Sequence, residues 1–233
     1  MSLTITPKLL EEAMQLPEVR RSGRDVLALP NARPAGVLLP VRFEPMPHVV
    51  AMIRPRTMKE HAGEVGFPGG KCEPGESHLA TALRETEEEL GLSAEDVAPL
   101  GSLQPVSVIT GRFVIHPFVA AVHEGARIVP SPTEVERLVE LPIAPFLTGE
   151  RAFSAVEVRL SERTEPDGAF GHTPVNEGVL QLPHFELEGC VLYGASAYVF
   201  HELLVRIATT LGRELPAPRL EKELPWRGRY EGH

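Results

Sequence analysis

Residues 70–92 read GKCEPGESHLATALRETEEELGL, and the fold turns on this stretch. It begins as a Gly-bearing loop and continues as a helix, with the spacing predicting helix over about Ser77–Leu90. At about 100° per residue, Leu79, Ala82, Leu83, Thr86 and Leu90 fall on one stripe, the expected buried face. Glu85, Glu88 and Glu89 stand at i, i+3 and i+4 and share a neighbouring face, while Glu87 points away from them. Gly91 follows the last turn, where a C-terminal cap glycine belongs.

Three carboxylates there are locally unfavourable. Like charges at this spacing repel by roughly 0.2–0.5 kcal/mol per pair. Carboxylates in a last turn also oppose the negative end of the helix dipole. A sequence that breaks two local rules at one place commonly does so for function. A hard cation relieves both, because carboxylate and carbonyl oxygens suit Mg²⁺ or Mn²⁺. Taken alone, three glutamates would favour a solvated acidic helix end, so the surrounding residues must decide.

Those residues resemble the signature of the Nudix hydrolase family, GX5EX7REUXEEXGU with U aliphatic. Gly70, Glu76, Arg84-Glu85, Glu88-Glu89, Gly91 and Leu92 occupy its fixed positions. Thr86, at the first aliphatic position, is the one departure. The resemblance implies an α/β/α sandwich, with a mixed sheet between helices, over roughly residues 33–212. It implies hydrolysis of a nucleoside diphosphate linked to another group. Glu85, Glu88, Glu89 and the Gly70 carbonyl would hold Mg²⁺ or Mn²⁺, with Glu76 and Arg84 orienting them. Metal ions would offset charge on the phosphate oxygens and lower the pKa of the attacking water.

The composition agrees. Hydrophobic content of 42% and charged content of 24% are ordinary for a folded soluble chain. The net charge of −9 disfavours nucleic acid as a bulk partner but admits a small polyanion at a metal site. Cys72 and Cys190 have no metal-ligand spacing and read as free thiols of a reducing cytoplasm. No apolar run reaches membrane-spanning length and no signal-peptide core is present, so no membrane partner is expected. His201-Glu202 opens a metalloprotease-like pattern that Val205 breaks. Oligomeric state is open, with a homodimer admitted.

Outward from the signature, residues 1–32 read as an N-terminal extension with an amphipathic helix over 7–20. Gly36–Val41 and Val49–Ile53 read as strands, and 54–70 as a charged, Gly-rich loop or short strand. Strands are expected at Leu100–Ile109 and Phe113–Val122, turning at Thr110-Gly111. Glu134–Leu147 mixes helical character with prolines. Strands at 152–160 and 180–192 flank a polar inserted loop over 161–178. A helix is expected over Gly194–Leu211, then a tail over 213–233 that wraps the surface or is loose.

The residues before the signature bear on the substrate. Arg54, Lys59, His61, Gly63 and Phe67-Pro68-Gly69-Gly70 resemble the motif of the coenzyme A diphosphatase subgroup, with Met52 and Pro55 departing from it. Ser107–Pro117, Glu134-Val135 and His184–Ala197 resemble further segments of that subgroup. Coenzyme A carries a 3′-phosphate, which Arg54, Arg56, Lys59 and Lys71 are placed to meet, with His61 beside them. Each of these taken singly also reads as a solvated charge. The residues that mark ADP-ribose, dinucleoside polyphosphate and NADH relatives are missing, although these substrates stay as alternatives, as does a non-catalytic nucleotide-sensing module. Glu134, in Ser-Pro-Thr-Glu-Val-Glu-Arg, is the candidate catalytic base, with Glu136 and Glu140 as alternatives. It reads equally as the first-turn acid of a helix.

Overall fold

The computed structural model describes residues 3–17, 31–58, 61–108, 112–160 and 178–223. In chain order the elements are α1 (Pro7–Met14), β1 (Arg33–Arg42), β2 (His48–Ile53), β3 (Val65–Gly66), β4 (Gly69–Lys71) and α2 (His78–Leu90). Then come β5 (Val97–Ser102), β6 (Val106–Ser107), β7 (Phe113–Val122), β8 (Arg137–Pro142) and α3 (Ala144–Thr148). The last are β9 (Ser154–Leu160), β10 (Gly178–Leu187), β11 (Cys190–Leu192), α4 (Gly194–Thr210) and β12 (Arg219–Glu221).

The main sheet is mixed and built around β1. This strand runs parallel to β7 from Arg33 opposite Phe113 to Val41 opposite Ala121. It pairs antiparallel with β2 only where Val41 meets Val49 and Arg42 meets His48. Beyond that point the two strands part. There β4 pairs with β1, setting Gly36 opposite Gly70, and β3 pairs with β2, setting Met52 opposite Gly66. Residues 65–71 therefore fill the fork between β1 and β2. β5 and β6 add antiparallel to β7, and β8 adds to β2.

Both faces of this sheet are covered. Leu38, Val50, Met52, Ala120 and Val122 pack with Ala82 and Leu90 of α2. Leu39, Val41, Val49, Ala51, Ile53 and Val119 point the other way, into the cluster shared by α1 and α4. Two-sided burial explains why β1 and β2 read as near-continuous apolar runs.

Glycine decides how closely α2 can lie on the sheet. A Cβ at Gly36 would stand 2.1 Å from the His78 carbonyl oxygen and 2.9 Å from the Ala82 nitrogen. Both are backbone atoms and cannot swing aside.

A second sheet, in the order β11-β10-β9-β12, stands beside the first. The β9–β10 pair is a long antiparallel hairpin, and its apolar residues meet α3 and α4. Phe146, Phe185 and Phe200 pack edge to face at ring separations of 5.0–5.8 Å. Arg206 of α4 bonds Glu202 at 2.8 Å and the Leu16 carbonyl at 2.8 Å. That ties the end of α1 to α4 and gives Glu202 a structural partner. Both cysteines are free.

Several expectations change in detail. α1 ends at Met14 instead of continuing to residue 20. The strand expected over Leu100–Ile109 is split into β5 and β6, with Pro105 lacking a donor for the ladder between them. Glu134–Leu147 resolves into strand β8 and the short α3. Part of the tail, Arg219–Glu221, joins the second sheet parallel to β9. The expected turn at Thr110-Gly111, residues 161–177 of the inserted loop, and the tail from 224 lie outside the described residues.

Gly36→Ala tests the close approach. It should destabilise the protein by about 1–3 kcal/mol or more, as overpacking does, and a thermal melt checks it. An unchanged melting temperature would mean that α2 does not rest on this strand.

Candidate active site

Ser77 caps the start of α2, its hydroxyl accepting from the Ala80 N–H at 3.2 Å, and Gly91 caps its end with a φ of 67°, the left-handed conformation. Ala82, Thr86 and Leu90 are buried and Glu87 is exposed, in line with the helical wheel. Leu79 and Leu83 are only partly buried. Thr86 fits an apolar position because its hydroxyl donates to the Ala82 carbonyl at 2.6 Å, satisfying itself within the helix.

Glu76 and Arg84 form the first half of the site. Glu76 accepts from Arg84 Nε at 3.0 Å, Thr81 Oγ1 at 2.7 Å and the Glu73 N–H at 3.1 Å. The bonds from Arg84, then those from Thr81 and Glu73, hold its carboxyl down at about 2. Arg84 also donates to Glu85 Oε1 at 2.8 Å and approaches Glu88 Oε2 at 3.3 Å. Its Nη2 reaches the Lys71 carbonyl at 3.4 Å. Thr81 was not singled out in the sequence, because a buried threonine reads as packing until its partner is known.

Glu85 lies directly over Gly70. A Cβ there would stand 2.3 Å from the Glu85 carboxyl carbon, so glycine is required for the carboxylate to reach this place. Gly69 meets a similar limit, its missing Cβ being 2.4 Å from the Gly36 carbonyl oxygen.

Glu89 forms the second half. It is only 3% exposed, and its Oε2 accepts from the Gly69 N–H at 2.9 Å. Arg54 Nη2 lies 3.5 Å from Oε1 and also reaches the Gly69 carbonyl at 3.4 Å. Burial pushes the Glu89 carboxyl up to about 7, with the charges of Glu85 and Glu134 adding to the rise and Arg54 and the Gly69 N–H opposing it.

Glu134 reaches this neighbourhood through its loop. The Val129 N–H donates to the Leu90 carbonyl at 2.8 Å, and the Ser131 N–H donates to the Glu89 carbonyl at 2.9 Å. These bonds satisfy two carbonyls left open at the end of α2 and latch residues 129–135 onto it. Glu134 stands in a turn before β8, not in the first turn of a helix. Glu136 is exposed, and Glu140 lies on β8 with Oε1 3.9 Å from His48 Nε2.

The residues named for substrate contact differ in partner and exposure. Arg54 faces Glu89. His61 is exposed with φ of 58°, and its Nδ1 is 2.9 Å from Glu64 Oε2. Lys71 is exposed, and Lys59 lies outside the described residues.

By donor type the site fits a hard cation: Glu85, Glu88, Glu89 and the Gly70 carbonyl offer oxygen only. Negative charge crowds Glu89 from Glu85 and Glu134. As the side chains stand, Arg54 and Arg84 neutralise these carboxylates. Among the described residues no group of three His, Cys, Asp or Glu side chains is gathered as a metal-holding set.

A NUDIX domain matches residues 32–155, more than half of the chain. The chain belongs to the Nudix family. It is similar to the uncharacterized Nudix hydrolase NudL of Photorhabdus laumondii, 38% identical over 119 residues. It is also similar to that of Yersinia enterocolitica, 39% identical over 124 residues. These matches cover 51% and 53% of this chain and 63% of each relative, so the chain spans less than two thirds of their length. Among solved structures, a MutT/nudix family protein from Enterococcus faecalis is 14% identical with a TM-score of 0.45, covering 85% of this chain and 70% of that one. A MutT protein from Methanosarcina mazei is 20% identical with a TM-score of 0.42, covering 52% and 85%.

The two buried threonines of α2 should behave differently. Thr86→Val exchanges a bond within its own helix for a buried methyl group, and stability should change by less than about 1 kcal/mol. Thr81→Val removes a donor to Glu76 and should lower the melting temperature more. Thermal melts of both variants check this, and the reverse order would contradict the roles given to the two hydroxyls.

Proposed function

We propose that this chain is a Mg²⁺- or Mn²⁺-dependent diphosphatase acting on a nucleoside diphosphate derivative. Its proposed substrate is coenzyme A or a short acyl derivative. Water adds to one phosphorus and the P–O–P bridge breaks, giving 3′,5′-ADP and (acyl-)4′-phosphopantetheine. The observation that carries the reading is the carboxylate face of α2, with Glu85 seated over Gly70 and Glu89 buried under the added charge of Glu85 and Glu134.

The proposed ligands are Glu85, Glu88, Glu89 and the Gly70 carbonyl. When bound, the ion offsets charge on the phosphate oxygens and acidifies the attacking water. Arg84 and Glu76 keep Glu85 and Glu88 oriented through the bonds described above. Glu134 takes the proton from the water, and its exposure leaves it room to do so. Lys71 and His61 meet the substrate's phosphates. The resemblance of residues 54–70 to the coenzyme A diphosphatase motif supports the choice of substrate. The acidic chain and its two free thiols fit a cytoplasmic setting. No helix among the described residues is long and apolar enough to cross a membrane.

Two measurements test this. In a Mg²⁺-dependent screen of coenzyme A, ADP-ribose, NADH and dinucleoside polyphosphates, with products resolved by mass, coenzyme A should be cleaved fastest. Much faster cleavage of ADP-ribose would overturn the substrate, and no cleavage of any of them would favour a sensing module. On the preferred substrate, Glu89→Gln and Glu134→Gln should each lower kcat strongly while Glu87→Gln leaves it nearly unchanged. A Glu134→Gln enzyme that keeps most of its activity would remove Glu134 as the base.

A further inference from the structure

We infer that Arg54 is a placeholder cation: its guanidinium neutralises Glu89 in the metal-free protein, and a divalent ion must displace it to load the site. The inference rests on the reading of α2 as a metal-binding face and adds a role that a phosphate grip would not have.

The backbone fixes where Arg54 stands. Its N–H donates to the Glu64 carbonyl at 3.0 Å, and its own carbonyl accepts from the Gly63 N–H at 3.0 Å. These two bonds close the neck of the β2–β3 hairpin and aim the side chain at the end of α2. Glu89 arrives with one oxygen already engaged, because Oε2 accepts the Gly69 N–H. Oε1 is the oxygen that faces Arg54. The guanidinium thus sits on the atom that a cation would take.

Two comparisons favour a contact made to be given up. Charge-assisted N–H···O bonds are commonly about 2.7–2.9 Å long, and the Arg54–Glu89 separation of 3.5 Å is looser. Arg84, by contrast, holds Glu85 at 2.8 Å and Glu76 at 3.0 Å, as expected of a residue that stays. A divalent ion also brings twice the charge and takes carboxylate oxygen at about 2.0–2.6 Å. With Glu85 and Glu134 adding negative charge nearby, it can replace the single charge of Arg54. A guanidinium held by Glu89 and the Gly69 carbonyl is not presented to a phosphate until that exchange has happened.

The test is a Mn²⁺ titration followed by the EPR signal of the free ion, on the full chain. The proteins are wild type, Arg54→Gln, Arg54→Lys, Glu89→Gln and the Arg54→Gln/Glu89→Gln double variant. Arg54→Gln should bind Mn²⁺ roughly three- to tenfold more tightly than wild type, because a competing charge is gone. Both contacts come from Nη2 alone, and the lysine nitrogen is carried one bond less far, so Arg54→Lys should fall between the two. The gain should vanish in the Glu89→Gln background. Without metal, Arg54→Gln should melt below wild type, since Glu89 is then buried without its counter-ion, and saturating Mn²⁺ should narrow the gap. If wild type binds Mn²⁺ and Arg54→Gln binds it equally or more weakly, the placeholder role is wrong and the metal-face reading stands. If wild type binds none, both fall. Should Arg54→Gln fail to fold, Arg54→Lys decides, and affinity equal to wild type overturns the role.

Discussion

The close seating of α2 on the Gly36–Gly70 pair is the constraint on which the rest of the molecule depends. These residues face each other across β1 and β4, and neither has room for a side chain. Gly36 lets the helix backbone come down onto the sheet, and Gly70 leaves space for the Glu85 carboxylate. A methyl group at either position would meet backbone or carboxylate at far less than contact distance. The fork between β1 and β2 supplies the geometry, because only parted strands can admit residues 65–71 between them. Packing at the centre of the sheet and the position of the carboxylates are therefore one problem with one solution.

Charge is the second organising influence. Carboxylates gathered near the end of one helix would be unfavourable alone. Arg84 gathers Glu76, Glu85 and Glu88 on one side, and Arg54 meets Glu89 on the other. The loop over residues 129–135 then uses the open carbonyls of Glu89 and Leu90, which brings the charge of Glu134 to bear on Glu89. Helix end, loop and hairpin neck converge on one carboxyl group whose ordinary ionisation is opposed by burial. In the proposed reaction a divalent ion resolves that tension and turns it to chemistry.

Much of this was legible in the sequence because it is local. The helix of residues 78–90, its exposed Glu87 and its cap at Gly91 follow from periodicity and one glycine, and the central strands follow from their apolar runs. What was not legible depends on partners distant in the chain. Gly36 is an unremarked glycine in a strand until α2 is laid over it, although glycine within a strand is a known sign of close backbone approach. Arg54 read as a phosphate contact because its neighbours are basic, whereas its partner Glu89 lies 35 positions further on. Glu134 read equally well as a helix-opening acid, and only the latch of Ser131 onto Glu89 places its turn beside the site. The second sheet was hidden because strand character over 152–160 and 180–192 does not say which sheet a strand joins, and β12 is too short to show a pattern.

The most direct measurement is the anomalous diffraction of a crystal grown or soaked with Mn²⁺. A peak is expected between α2 and Gly70, within coordination distance of oxygens of Glu85 and Glu89, with the Arg54 guanidinium moved off Glu89 Oε1. A fully soaked crystal with no peak at that face, or with the ion held elsewhere and Arg54 still on Glu89, would contradict it.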